Sequence, residues 1–168
     1  MNVVSSLHGQ RCVVATVEGE LVGFLTLRCC TECEAEEAAD LLAVDVCSSS
    51  RGREVAYILT LGVAQRFRRR GVANSLLRAA LLSLPCQLVY LHVLTSNETA
   101  LSFYKSHNFQ LLRREPGFYV LDKTSHDAFC LCLYRHGGRP PLSASGALVG
   151  LLARRVRRAA DALLSLFS

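Results

Sequence analysis

A chain of 168 residues with 51% apolar side chains holds material for one globular core and little for a second, so one domain plus a tail is expected. Its net charge of +5 is uneven: Arg139, Arg154, Arg155, Arg157 and Arg158 against Asp161 supply +4 of it, leaving +1 for residues 1–138. That distribution excludes a globally basic nucleic-acid-binding domain.

Eight cysteines form a disulfide framework only in a secreted chain. The start, Met1 to Cys12, shows no basic stretch followed by a long apolar run, and Asn2 excludes N-myristoylation. Free thiols in a reducing cytosolic compartment are expected. Cys30-Thr31-Glu32-Cys33 spells CxxC, but a zinc site needs a second ligand pair, and Cys130-Leu131-Cys132 is one residue too tight. No metal is expected, and Cys130 and Cys132 read as small buried hydrophobes.

In chain order, Arg11–Val17 and Leu21–Leu27 are β-branched and apolar runs flanking the polar break Glu18-Gly19-Glu20, which predicts an antiparallel hairpin. Residues 29–53 turn acidic and then serine-rich, predicting a loop with a short helix over 34–43. Val55–Val63 is apolar throughout, as a strand covered on both faces requires. Val72–Leu84 carries Leu76, Leu77, Ala80, Leu81 and Leu84 at helical spacing and stops at Pro85. Leu88–Leu94 is again a continuous apolar strand. Ser96-Asn97 supplies a cap for a helix from Glu98 to His107, and His126–Tyr134 reads as a last strand. Strands separated by single helices imply a central parallel pair in a mixed α/β (α+β) sheet with flanking helices.

Gly137-Gly138 and Pro140-Pro141 end the domain, giving a boundary at 138/139. In the tail, Leu148, Leu152, Val156, Ala159, Leu163 and Phe167 share one helical face, with the four clustered arginines, Asp161 and Ser165 opposite. Such segregation predicts an amphipathic helix lying in a membrane interface, and the arginines forbid a spanning one. A C-terminal helix docked on the domain, or half of a coiled coil, is the alternative.

Arg68-Arg69-Arg70-Gly71-Val72-Ala73 fits R-x-x-G-x-A between a buried strand and a helix. A diphosphate binds at such a junction because the first helical amides lack intrahelical partners and lie at the positive end of the helix dipole. Gly71 permits close approach, Ala73 keeps the next turn small, and the arginines complement the charge.

From Val55 to Leu77, and from Tyr90 through Thr95-Ser96-Asn97 to Tyr104, the chain resembles the GNAT superfamily of acetyltransferases. More narrowly it is similar to N-terminal acetyltransferases of the NatF type, found on Golgi membranes. The stretches Ala56–Leu59, Tyr90–Thr95 and His136–Pro141 carry the narrower likeness, and the wider one spans about residues 11–141. The resemblance implies acetyl-coenzyme A as co-substrate and transfer of its acetyl group to the α-amino group of protein N-termini. Lysine side chains, including those of histones, are a further acceptor it leaves open.

Tyr57 and His92 match the catalytic pair, and Leu59 and Tyr119 the substrate-contacting positions. Leu61, Gly62 and Val63 match the strand along the acetyl and pantetheine portions. Arg69, Arg70, Gly71, Val72, Ala73 and Asn74 match the pyrophosphate loop, and Asn97, Tyr104, Lys105, Ser106 and His107 the remainder of the coenzyme site. The family's membrane anchor matches the tail, implying the cytosolic face of the Golgi membrane, with a cytoplasmic location otherwise; a homodimer stays open.

An imidazole titrating near 6.5 suits an α-amino group of pKa about 8, so His92 is the candidate base. Tyr57 orders a bridging water or protonates the departing thiolate, and backbone amides near Leu61–Val63 polarise the thioester carbonyl. Alone, either side chain reads as core; the joint fit to the motif selects them.

The family places a strand, a helix and a substrate-gripping loop before the hairpin, whereas ten residues precede Arg11 here. A fold lacking the usual first strand and helices is therefore expected, with an exposed sheet edge and Phe118-Tyr119 as the remaining groove wall. Three functions stay open: an N-terminal acetyltransferase, a GNAT enzyme for another amine, and an inactive membrane-associated acyl-CoA-binding module.

Overall fold

The computed structural model describes residues 2–7, 10–30 and 55–135. The helix expected at 34–43, Cys33, Cys47 and the tail lie outside them. Among the described residues, seven strands form one sheet in the order β1-β2-β3-β4-β5-β7-β6. These are β1 (Asn2–Leu7), β2 (Gln10–Val17), β3 (Glu20–Cys30), β4 (Val55–Val63), β5 (Leu88–Leu94), β6 (Gln110–Leu121) and β7 (Thr124–Tyr134). A single 3-10 turn at Gln65–Phe67 leads to helix α1 (Val72–Leu82), and α2 (Glu98–Ser106) follows β5. Pairing is antiparallel throughout except between β4 and β5.

The hairpin, the central parallel pair and both strand-helix units stand as the sequence implies. Three differences have physical reasons. First, a strand precedes the hairpin: β1 pairs antiparallel with β2, Asn2 opposite Val14 and Val4 opposite Cys12. The expected open edge at β2 is therefore occupied, because a short apolar segment after a two-residue break can complete a ladder locally. Second, α1 ends at Leu82, where Ser83 closes the helix by donating its amide to the carbonyl of Ala79 at 3.2 Å.

Third, a further strand, β6, lies between α2 and β7, where the sequence carries no strand pattern. It is joined to β7 through Asp122 and Lys123, both at positive φ (50° and 64°), the geometry of a two-residue type I′ turn. Asn-Gly or Asp-Gly usually signals that turn, and Asp-Lys does not. Bulges between Leu111 and Arg113 and between Glu115 and Tyr119 also break the alternation that marks a strand.

Both helices cover one face of the sheet. There Leu25, Leu27, Leu76, Leu77, Val89 and Leu91 are at most 2% exposed and belong to one cluster. The opposite face gathers Val55, Leu88, Tyr90, Cys130 and Cys132, with Tyr57, Leu112 and Tyr134 against them. The buried thiols of Cys86 and Cys132 are pushed up by desolvation, as for small hydrophobes without redox chemistry.

Gly23 sets how closely α1 approaches. A Cβ there would meet the Gly62 carbonyl oxygen at 2.9 Å, Leu76 Cδ1 at 3.1 Å and Val72 Cγ1 at 3.2 Å. The bare backbone lets β3, β4 and the first turns of α1 close on one another, and this positions the basic loop.

Candidate active site

Strands β4 and β5 part company where the chemistry is expected. Their register stops at Tyr57 opposite Tyr90, because Leu59 is an extra residue in β4: Leu27 pairs with Ile58 and Thr26 with Thr60. The bulge bends β4 away, leaving its edge beyond Tyr57 without a pairing to β5. Between the diverging strands lies a cleft of about 200 Å³, whose lining includes Leu59, Leu61, His92, Asn97, Tyr104 and Tyr119. The amides of that edge are available to a carbonyl placed in the cleft.

At one end of β4, beyond Val63, the chain turns through Gln65–Phe67 into the basic loop. Arg68 Nε donates to the Val63 carbonyl at 3.1 Å, Arg66 pairs with Glu20, and the guanidinium carbons of Arg66 and Arg70 lie 5.1 and 5.7 Å from the centroid of the Phe67 ring. Arg69 and Gly71 both take left-handed backbone conformations, φ 62° and 79°. Gly71 is the N-cap of α1, which has no side-chain cap and no acid in its first turn. Ser75 is the first to return an amide, to the Gly71 carbonyl at 3.0 Å. The amides before it point forward without intrahelical partners, a ready anion cradle.

His107 ties this cradle to α2. Its Nε2 lies 2.8 Å from Asn74 Oδ1 and its Nδ1 2.8 Å from the Phe103 carbonyl oxygen. Asn97 spends its side chain on capping α2, Oδ1 accepting from the Ala100 amide at 3.0 Å. Lys105, Ser106 and His107 lie at the end of α2, outside the cleft lining. Burial pushes the Tyr104 phenol up to about 12, helped by Tyr119, so it stays a proton donor.

At the other end, Tyr57 Oη and His92 Nδ1 are 3.2 Å apart. Along β5, Leu88, Tyr90 and His92 alternate onto the face away from the helices, where Tyr57 joins them. The Phe118 ring stacks on the imidazole, centroids 4.0 Å apart and planes 14° from parallel, and Tyr119 Oη donates to the His92 carbonyl oxygen at 3.0 Å. Desolvation under this cover, and secondarily the Arg113 charge, push His92 down to about 3. The ordinary imidazole value near 6.5, expected from the sequence, does not hold here: a stacked, buried imidazole stays neutral because its cation would lose hydration.

Sequence reading did not single out the residues behind Phe118. Glu115 is 4% exposed and is paired with Arg113, beside His92 on the same sheet face. Asp127 accepts from the Gly117 amide at 2.7 Å and from Arg114 Nε at 2.9 Å. These contacts follow from the bulged β6, which no local pattern announced. Among the described residues, no group of three or more His, Cys, Asp or Glu side chains comes together.

In sequence and in fold the chain is similar to known proteins. N-alpha-acetyltransferase 60 of Danio rerio is 41% identical over 56 residues, 33% of this chain and 23% of that protein. Its Xenopus tropicalis counterpart is 34% identical over 90 residues, 47% of this chain and 37% of that one. The chain thus spans well under half the length of these curated relatives. Arabidopsis thaliana NAA60 in complex with acetyl-CoA superposes with a TM-score of 0.65 at 29% identity, covering 75% of this chain and 76% of that one. Its complex with a bisubstrate analogue gives 0.64 at 29%, over 76% and 77%. Residues 4–109 match the model of the acetyltransferase (GNAT) family, more than half of the sequence and the span that holds the anion cradle, the Tyr57–His92 pair and the cleft lining other than Tyr119, and the chain belongs to that family.

Proposed function

We propose that this chain transfers the acetyl group of acetyl-coenzyme A to the α-amino group at protein N-termini. The observation that carries the reading is one cleft, opened by the bulge at Leu59, with an uncapped helix N-terminus beyond one end of β4 and the Tyr57–His92 pair at the other. The relatives named as N-alpha-acetyltransferases, and the Arabidopsis neighbour solved with acetyl-CoA, support it.

The donor set fits the coenzyme. Amides of residues 71–74, flanked by Arg69 and Arg70, suit a diphosphate, and the apolar lining of Leu59 and Leu61 suits the pantetheine arm. When bound, acetyl-CoA supplies a thioester, an activated acyl group with a thiolate leaving group. The free edge of β4 holds the carbonyl, and Tyr57 and His92 receive the amine.

The protonation state of His92 bears on the acceptor. An imidazole held near 3 cannot strip a proton from an intact ammonium, so the substrate must arrive neutral. An α-amino group of pKa about 8 does so far more often than a lysine near 10.4, an advantage of roughly 3 kcal/mol. Once the amine nitrogen bonds to the acyl carbon it becomes strongly acidic, and a weak base suffices. His92, bonded to Tyr57, then takes that proton while the thiolate departs and is protonated through Tyr57 or water.

Release of free thiol from acetyl-CoA, measured with peptides bearing a free N-terminus and with N-blocked lysine peptides, tests the reading. Faster turnover of free N-termini is expected. Preference for the lysine peptides, or coenzyme binding without turnover of either, overturns it.

The domain comprises residues 1–138 in this reading, and the tail, 139–168, is a peripheral anchor on the cytosolic face of the Golgi membrane. Its segregated apolar and arginine faces support that, each arginine near an anionic surface contributing about 1 kcal/mol. Flotation with anionic vesicles should be lost when the chain stops at Pro141; undiminished flotation removes the anchor.

A further inference from the structure

Between Glu115 and Tyr119 the β6–β7 ladder is interrupted. Glu115 faces Ala128 and Tyr119 faces His126, so Pro116, Gly117 and Phe118 on β6 stand against Asp127 alone on β7. A bulge interrupts the regular ladder and re-aims the side chains around it; this one carries the ring that stacks on His92 and leads into Tyr119, whose hydroxyl binds the His92 carbonyl.

Asp127 reaches into the bulge from the facing strand. Its Oδ1 accepts the Gly117 amide at 2.7 Å, next to Phe118, and Gly117 sits at φ 60°, so the bulge turns back there. Its Oδ2 is paired with Arg114 on the near side of the bulge. Its main-chain carbonyl accepts the Thr95 amide at 3.1 Å, three residues beyond His92. One residue therefore fastens the mouth of the bulge and the end of β5 together.

We propose that Asp127 is a positioning residue for His92, holding the 116–118 bulge so that Phe118 covers the imidazole and Tyr119 reaches its carbonyl. This rests on the acetyl-transfer reading only for its kinetic consequence. The side chain bonds Gly117 and Arg114, which belong neither to the cleft lining nor to the anion cradle, so coenzyme affinity is not its province. Both the carboxylate and the amide isostere present an oxygen to Gly117, whereas alanine and leucine do not.

The test reads the His92 ring directly. A phenyl ring stacked at 4.0 Å shifts the imidazole C–H proton resonances upfield. The chain has five histidines, so a His92→Gln variant assigns the signals by difference. In Asp127→Ala the upfield shift should disappear, and in Asp127→Asn and Arg114→Ala it should persist. Turnover of an N-terminal peptide should fall about 10²-fold in Asp127→Ala, the scale of a 1 Å misplacement, recover in Asp127→Asn, and leave the Kd for acetyl-CoA unchanged. Asp127→Leu fills the same space without an acceptor and repeats the measurement if the alanine variant does not fold. Unchanged His92 resonances in the folded alanine or leucine variant overturn the proposal. A wild-type chain that turns over no N-terminal peptide sinks the functional reading instead, and the resonances still decide the role of Asp127.

Discussion

Replacing His92 by alanine, or Tyr57 by phenylalanine, is expected to lower turnover of an N-terminal peptide about 10²-fold, with the Kd for acetyl-CoA unchanged. General acid-base groups contribute roughly 10²–10⁴-fold, and a base as weak as a buried neutral imidazole belongs at the lower end because efficiency follows its pKa. Coenzyme affinity is spared because the anion cradle at residues 71–74 is built on α1, away from the pair. Since Tyr57 Oη and His92 Nδ1 share one hydrogen bond at 3.2 Å, the double variant should be little worse than the poorer single one.

The pH dependence carries the sign of the substrate. With His92 neutral throughout the working range, kcat/KM should rise with pH up to the α-amine's own pKa of about 8, where the nucleophile becomes free. No limb is expected near 6.5. Wild-type turnover in both variants removes the pair from the mechanism, and an inflection near 6.5 that vanishes in His92→Ala would show the imidazole to titrate as an exposed one.

The second large effect falls on stability. Leu76 is 0% exposed at the centre of α1, in contact with the Cβ position of Gly23 and within the cluster joining the helices to β2, β3 and β4. Leu76→Ala is expected to cost about 2–5 kcal/mol, from lost transfer free energy plus the cavity left behind. For a chain of this size that lowers Tm by about 4–20 °C. Thermal unfolding followed by circular dichroism measures it; a loss under about 1 kcal/mol would mean that α1 collapses freely onto the sheet. The same helix carries Gly71 and its amides, so the variant should also bind acetyl-CoA more weakly, and saturating coenzyme should return part of the lost Tm by mass action.

Legibility differed sharply between the two halves of the site. The cradle end was readable because it is local: a buried strand, a basic loop, one glycine and a helix start lie within Val55–Leu77, and the unpaired amides follow from any helix that begins there. Tyr57 and His92 are 35 residues apart, and only the resemblance brought them together; the parallel register of β4 and β5 puts them side by side on one face. The β6 side was opaque. Asp122-Lys123 is an unusual turn pair, and two bulges hide the strand period between Gln110 and Leu121.

By its residues alone, then, this chain determines a mixed sheet with two strand-helix units and a helix start with unpartnered amides beside a basic loop, because hydrophobic period, glycine placement and helix-end amides act over a few residues. The tertiary structure decided how far β4 leans from β5, through the unpaired Leu59. It decided that β1 fills the edge beside β2. It also decided that His92 is neutral rather than titrating near 6.5, since its charge state depends on burial under the Phe118 ring, then on the Arg113 charge, and on the bulge that Asp127 holds, none of which is near His92 in sequence. Charge state and strand curvature are set by neighbours brought from afar, and no local pattern records them.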